Sequence, residues 1–113
     1  GKFDSRLVES GPPAMVTEQG ILFIYNSMNS EHYGDTSLPS GTYAAGQVLI
    51  DPKDPLQVMK RSERYFFKPD RPFELTGQVN NVCFLEGLVH FRDRWYLYYG
   101  TADSKIAVAT RLR

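Results

Sequence analysis

The stretch "YLYYGTADSKIAVAT", residues 96–110, decides the fold class. Three tyrosines and a leucine form an aromatic run, and a second apolar run follows after a short segment of small and polar residues. Short runs rich in aromatic and β-branched residues predict strands, and residues 100–104 have the composition of a turn. The stretch therefore predicts two strands joined by a turn that carries a carboxylate, Asp103. A role in the turn would account for a carboxylate between two apolar strands, and binding of a ligand would account for it better.

The same β pattern recurs along the chain in seven short runs, which polar turn segments separate. The runs are AMV, GILFIYNSM, YAAGQVLI, LQVMKRS, NVCFLEGLVHF, RWYLYYG and KIAVATRL. The segment DPLQVMKRSERYFF does not hold a 3.6-residue period, so we interpret it as a strand as well. In RWYLYYG both faces are large and apolar, which predicts a strand covered on both sides. The sequence predicts an all-β architecture without a clear helix.

Composition limits the classes of partner. The 113 residues suffice for one small domain, and 42% hydrophobic and 13% aromatic residues can fill a core. Basic and acidic residues number 13 each, and no basic run occurs, so we exclude nucleic acid as a partner. No apolar run approaches the roughly 20 residues of a membrane-spanning helix, so no membrane-spanning segment is predicted.

Cysteine and histidine usage predicts no metal site. Cys83 is the single cysteine, which rules out a disulfide within the chain and a CxxC metal site. His32 and His90 lie far apart and form no ligand pair by spacing. The apolar neighbours of Cys83 predict a buried core residue rather than a reactive thiol.

A weak internal repeat points to the architecture. PAMVTEQGILFIYN and GLVHFRDRWYLYYG both have the order strand, tight turn, strand, and a further strand follows each, YAAGQVLI and KIAVATRL. Repeated β-meanders are typical of propellers, whose blades take about 40–50 residues. On that scale the chain holds about two blades, too few to close a ring of roughly four to eight. It is therefore either a small sandwich or part of a larger protein.

Four segments in one order resemble the C-terminal third of glycoside hydrolase family 130. They are ESGPPAMVTEQGILFIYN, YAAGQVLIDPKDP, RPFELTGQVNNVCFLEGL and WYLYYGTADSKIAVA. The resemblance implies a five-bladed β-propeller, of which residues 1–68 form about the fourth blade and residues 69–113 about the fifth. The remaining blades would then be a partner of this segment.

The resemblance also implies an activity. Members of this family cleave β-mannosides with inversion, either by phosphorolysis or by hydrolysis, so a mannose-containing oligosaccharide is the implied substrate. No cofactor or metal is implied. The family's general acid is an aspartate in an earlier blade, and nothing in these 113 residues corresponds to it. The resemblance further suggests a periplasmic or cell-surface location in a bacterium.

Two positions distinguish the branches of the family. Its phosphorylases have the pattern KIGxGPPP…YHG, whose Lys and His help to hold phosphate. Aligned on the Gly-Pro-Pro segment, Leu7 stands at the Lys position and Asn26 at the His position. A phosphate site that loses two cationic donors should bind its dianion poorly. The sequence therefore resembles the mannosidases of the family, in which water takes the place of phosphate.

Inverting hydrolysis needs a carboxylate base, and Glu9 in LVESGPP is our candidate. The alternative for Glu9 is a solvated residue at the start of a strand. A second carboxylate, Glu74 in RPFELTG, is predicted to accept hydrogen bonds from backbone N–H groups at the entry to the last blade.

Three residues are predicted to bind substrate, each with a structural alternative. Asn26 would hydrogen-bond near the leaving sugar or the water, or else be an ordinary turn residue. Tyr43 matches a family tyrosine that contacts mannose, and the small residues 44–46 would leave room around its ring; the alternative is core packing. Asp103 matches a family aspartate that binds mannose hydroxyls, or else it stabilises its own turn.

Two rival functions stay open at this point. One is a β-mannoside phosphorylase that builds its phosphate site differently. The other is a noncatalytic sugar-binding module made of this segment alone. Because two blades leave sheet edges uncovered, we expect the isolated chain to be unstable or oligomeric.

Overall fold

The computed structural model describes residues 1–112, which form two antiparallel sheets, so the predicted all-β class is confirmed. The elements are β1 (Leu7–Ser10), β2 (Met15–Thr17), β3 (Gly20–Met28), β4 (Tyr43–Ile50), β5 (Val58–Arg61), α1 (Pro72–Leu75), β6 (Cys83–Phe91), β7 (Arg94–Thr101) and β8 (Lys105–Leu112).

The first sheet has the order β1-β3-β4-β5, and β2 also pairs with β3. β1 pairs with the C-terminal half of β3 and β2 with its N-terminal end, so together they cover one edge. Gly11, between β1 and β2, donates its N–H to the Ile24 carbonyl at 3.2 Å. A Cβ at Gly11 would lie 2.7 Å from that oxygen and 3.4 Å from the Leu85 carbonyl oxygen. Glycine is therefore required where this edge approaches the second sheet.

The second sheet is the meander β6-β7-β8. Its two hairpin turns place Arg92, Asp93, Ala102 and Asp103 at φ values of 47° to 61°. Two successive residues at positive φ are the mark of the hairpin turns that match strand twist, and aspartate tolerates this conformation well. The turn chemistry thus supports the hairpins that the aromatic runs predict.

The main core lies between the two sheets. It consists of Ile24, Ala45, Cys83, Leu85 and Tyr99. Cys83 is fully buried, which confirms the core position predicted for it. The backbone also joins the two sheets, because Tyr43 at the start of β4 forms a parallel bridge with Val82, the residue before β6.

A second buried cluster lies under the first sheet and contains Phe3, Tyr25 and Ala44. A Cβ on Gly46 would lie 2.3 Å from the ring and hydroxyl of Tyr25. The small residues after Tyr43 therefore accommodate core side chains. The open space that the sequence predicts around the Tyr43 ring stays a prediction.

The structure departs from the sequence prediction at two places. β1 forms a strand that no run predicts, and one helical turn, α1, starts at Pro72. Only one face of β7 is covered within residues 1–112: Tyr99 is buried against the first sheet, whereas Tyr98 is 44% exposed, so coverage of both faces stays a prediction. The face of β7 that carries Tyr98 is exposed because no sheet packs on it within residues 1–112.

The two sheets lie on either side of the division predicted after residue 68. The first ends at Arg61 and the second begins at Cys83. The assignment of each sheet to a numbered blade stays a prediction. None of the helices in the described part of the chain has the length and apolar character needed to cross a bilayer.

Candidate functional site

Three of the four predicted site residues converge at one end of the molecule, where the sheets meet. Glu9 lies on β1, Tyr43 begins β4, and Asp103 lies in the β7–β8 turn. Burial raises the pKa of the Tyr43 phenol above its ordinary value, and the negative charges of Glu9 and Asp103 raise it further, while Arg6 lowers it. Both carboxylates are thus close enough to act on the same hydroxyl.

Tyr43 is held by both sheets. Its strand pairs with β3, and its N–H donates to the Asn81 carbonyl at 2.9 Å, beside the bridge to Val82. Its half-buried ring contacts Phe84 with centroids 6.2 Å apart. The raised pKa keeps the phenol protonated at neutral pH, so it can donate a hydrogen bond to a ligand.

Glu9 occupies an exposed position on β1, opposite Asn26 in the register of the sheet. Its carboxylate takes part in no ion pair within residues 1–112. A free carboxylate beside a phenol can accept a proton from water or a hydrogen bond from a sugar hydroxyl.

Asp103 lies at an exposed hairpin tip, with its backbone in the left-handed region. The Ser104 N–H closes this turn onto the Thr101 carbonyl at 2.9 Å, and the Ser104 hydroxyl bonds the Ala102 carbonyl. The Asp103 carboxylate has no hydrogen-bond donor among the described residues, so it does not cap its own loop. Its backbone serves the turn, and its carboxylate is available to a ligand.

Asn26 differs from the other three, because its side chain is 0% exposed. Its amide nitrogen donates to the Ser10 carbonyl at 3.3 Å and the Leu85 carbonyl at 2.9 Å, and its oxygen accepts from the Leu85 N–H at 2.7 Å. The bond to Ser10 stays within the first sheet, whereas the two bonds with Leu85 tie the two sheets together. This geometry favours a structural role, and the sugar contact predicted for Asn26 stays untested.

Glu74 has the structural role predicted for it. It is buried on α1, and one carboxylate oxygen accepts from the N–H groups of Asp70 and Arg71, both at 2.7 Å. The other oxygen accepts from the Tyr99 hydroxyl at 2.6 Å. These bonds fix the entry to the second sheet, as the sequence predicted.

Next to Asp103 lies an open cleft of about 550 Å³. Phe84 and Glu86 on β6 also line this cleft, and sequence reasoning missed both residues. The register of β6 against β7 shifts between Leu85 and Gly87, so Glu86 is the extra residue of a β-bulge. A glycine inside a strand pattern is a signal for such a bulge, and bulges often aim side chains at active sites.

A larger cavity, about 730 Å³, lies beside α1 and is lined by Glu74 and Tyr99. Those two groups already bond each other, so neither is free to bind a ligand. We therefore place the candidate site at the smaller cleft, where the carboxylates are free. Within residues 1–112, no group of three or more potential metal ligands occurs.

Comparison with known proteins gives consistent matches. A protein-family model described as beta-1,4-mannooligosaccharide phosphorylase matches residues 2–112. Beta-1,2-mannobiose phosphorylase of Thermoanaerobacter sp. (strain X514) is 33% identical over 107 residues, which is 95% of this chain and 32% of the relative.

Two solved structures are more similar in sequence. A glycosyl hydrolase from Bacteroides ovatus has 45% identity and a TM-score of 0.94, and the match covers 100% of this chain and 32% of that one. The second is 47% identical with a TM-score of 0.96, over 99% of this chain and 32% of that one. It was described with the finding that the GH130 family of mannoside phosphorylases contains glycoside hydrolases that target β-1,2 mannosidic linkages in Candida mannan. The chain spans about a third of the length of the relatives it matches.

Proposed function

Because this chain belongs to glycoside hydrolase family 130, we propose that it forms part of an enzyme that hydrolyses β-mannosides, with a β-1,2-linked mannoside as the substrate class. The observation that carries the proposal is that Glu9 and Asp103 both lie near enough to Tyr43 for their charges to raise the pKa of its phenol. Two carboxylates and a phenol donor suit a neutral sugar, because charged acceptors form strong hydrogen bonds with hydroxyl groups.

The charge of the site favours water over phosphate as the acceptor. Two anions and one cation, Arg6, act on Tyr43, and a phosphate dianion would be repelled by the carboxylates. Leu7 and Asn26 stand where the phosphorylases carry Lys and His, and the Asn26 donors are already used by backbone carbonyls. The two solved structures described with hydrolases are 45% and 47% identical, against 33% for the curated phosphorylase.

The proposed mechanism is a single displacement with inversion. Glu9 accepts a proton from water as the water oxygen bonds to the anomeric carbon, and the bond from that carbon to the glycosidic oxygen breaks. The leaving oxygen takes a proton from an aspartic acid outside this chain. Asp103 and Tyr43 hold the mannose hydroxyls during the displacement.

The exposed surface of the second sheet supports a larger assembly. Leu112 is 65% exposed, and Val89, Phe91 and Val108 are exposed on the same sheet. Exposed apolar surface of this extent is typical of a surface that packs against another element. We propose that a neighbouring blade covers it in the complete protein, which would be a five-bladed propeller with residues 1–68 and 69–113 in its last two blades.

The runner-up function is phosphorolysis, which the family description and the curated relative both favour. Product analysis of the complete protein with β-1,2-mannobiose, with and without inorganic phosphate, separates the two. We expect free mannose at a rate independent of phosphate, and a loss of roughly a hundredfold or more in kcat for Glu9→Gln. Mannose 1-phosphate formed at a phosphate-dependent rate would reject the hydrolase proposal. Sugar binding without any cleavage would indicate the noncatalytic module instead.

A further inference from the structure

The cleft beside Asp103 extends the candidate site along β6. Its lining includes Phe84, Glu86 and Asp103, together with the hairpin residues Ser104 and Lys105. Asp103 therefore borders two spaces, the surroundings of the Tyr43 hydroxyl and this cleft. A ligand held by Asp103 can reach from one space into the other.

Phe84 joins the two spaces. Its ring contacts the Tyr43 ring at 6.2 Å and an interplanar angle of 51°, and it is only partly buried. Its backbone neighbours on both sides, Cys83 and Leu85, are fully buried, so the strand itself is firmly held. A rigidly mounted aromatic side chain at the wall of a cleft provides an apolar surface for the C–H face of a sugar ring.

Glu86 is the second carboxylate that lines the cleft, beside Asp103. It lines the cleft because the bulge between Leu85 and Gly87 interrupts the alternation of side chains at this point. Its carboxylate is exposed and makes no ion pair with the described residues. Since the bulge costs a ladder hydrogen bond, a functional reason for it is expected.

We infer that Phe84 and Glu86 bind the sugar next to the mannose held by Asp103 and Tyr43, and so help to set which mannosides the enzyme accepts. Phe84 supplies an apolar contact, and Glu86 accepts a hydrogen bond from a hydroxyl group of that second sugar. The inference rests on the proposed function, because it assumes that Asp103 holds a mannose. It adds two specificity-determining residues on β6 to the site.

Calorimetric titration of the complete protein with mannose and with β-1,2-mannobiose tests the inference, in a Glu9→Gln background that prevents turnover. We expect Glu86→Gln to weaken mannobiose binding about tenfold and Phe84→Leu to weaken it about threefold to tenfold, with mannose binding unchanged within twofold. Glu18→Gln, an exposed turn residue, and Phe73→Leu, an exposed residue of α1 outside the cleft, are the matched controls. Equal urea midpoints would exclude a folding defect in either variant.

The outcomes separate this inference from the proposed function. Equal losses for mannose and mannobiose would place Glu86 at the first sugar and overturn the inference, as would unchanged binding of both sugars. If the wild-type protein cleaves mannobiose but Glu86→Gln leaves the binding of both sugars unchanged, the proposed function holds and the inference fails. Failure of the Glu9→Gln protein to bind either sugar would count against both.

Discussion

Replacement of Asn26 by alanine tests whether the side chain of Asn26 holds the two sheets together. The substitution removes three hydrogen bonds, to the Ser10 carbonyl and to the N–H and carbonyl of Leu85, at a position with no solvent exposure. A net hydrogen bond contributes about 1 kcal/mol, and each buried partner left unpaired costs about 1–3 kcal/mol. Counting one orphaned N–H and two weakened carbonyls, we expect a loss of about 3–5 kcal/mol in the free energy of unfolding.

Urea-induced unfolding of the complete protein measures this loss through the midpoint and slope of the transition. Asn80→Ala is the matched control, because Asn80 is exposed and its side chain accepts one bond, from the Gly77 N–H at 3.2 Å. The control should change stability by less than about 0.5 kcal/mol. A loss below about 1 kcal/mol for Asn26→Ala, with a large fall in kcat/KM, would refute this reasoning and make Asn26 the substrate contact that the sequence predicts.

Two further predictions concern buried groups of the second sheet. Tyr99→Phe removes the 2.6 Å bond to the buried Glu74 carboxylate and should cost about 2 kcal/mol, measured by the same urea transition. Burial and Glu74 raise the pKa of Tyr99, so the unfolded chain loses this proton first. Wild-type stability should therefore decline as the pH rises above about 10, and less so in Tyr99→Phe; identical pH dependence would contradict this assignment. Burial also raises the pKa of the Cys83 thiol, so a thiol reagent at pH 8 should label Cys83 only after unfolding. Peptide mass mapping of the labelled protein measures this. Labelling of Cys83 in the native protein would contradict its burial.

Local patterns predicted the elements well where the physics is local. Seven apolar runs correspond to β2 through β8, because β-branched and aromatic side chains favour extended backbone and the turn residues favour positive φ. The segment DPLQVMKRSERYFF, residues 54–67, forms a strand only from Val58 to Arg61. β1 escaped prediction because it is short and three of its four residues are exposed. Its extended conformation comes from pairing with β3, which is a tertiary effect.

The sequence predicted the residues of the candidate site one by one, and the packing of the two sheets determined which of them lie together. Glu9 and Asp103 are 94 positions apart, and they meet at Tyr43 only because β4 bridges to Val82 and β6 packs against the first sheet. The same packing took Asn26 out of solvent, although the sequence predicts a substrate contact there. Glu86 went unnoticed because a strand pattern does not reveal which residue a bulge turns outward.

The sequence by itself determined the class of the fold, the order of its strands and the carboxylates available for chemistry, because these depend on side-chain type and on neighbours along the chain. The tertiary structure alone decided which of the polar residues remain free. Asn26 and Glu74 are polar residues in family-like motifs, yet their hydrogen-bonding groups are used by the backbone of the opposing sheet and by α1 with Tyr99. Burial forces such groups to find partners, whereas Glu9 and Asp103 lie at exposed positions that water or sugar can reach.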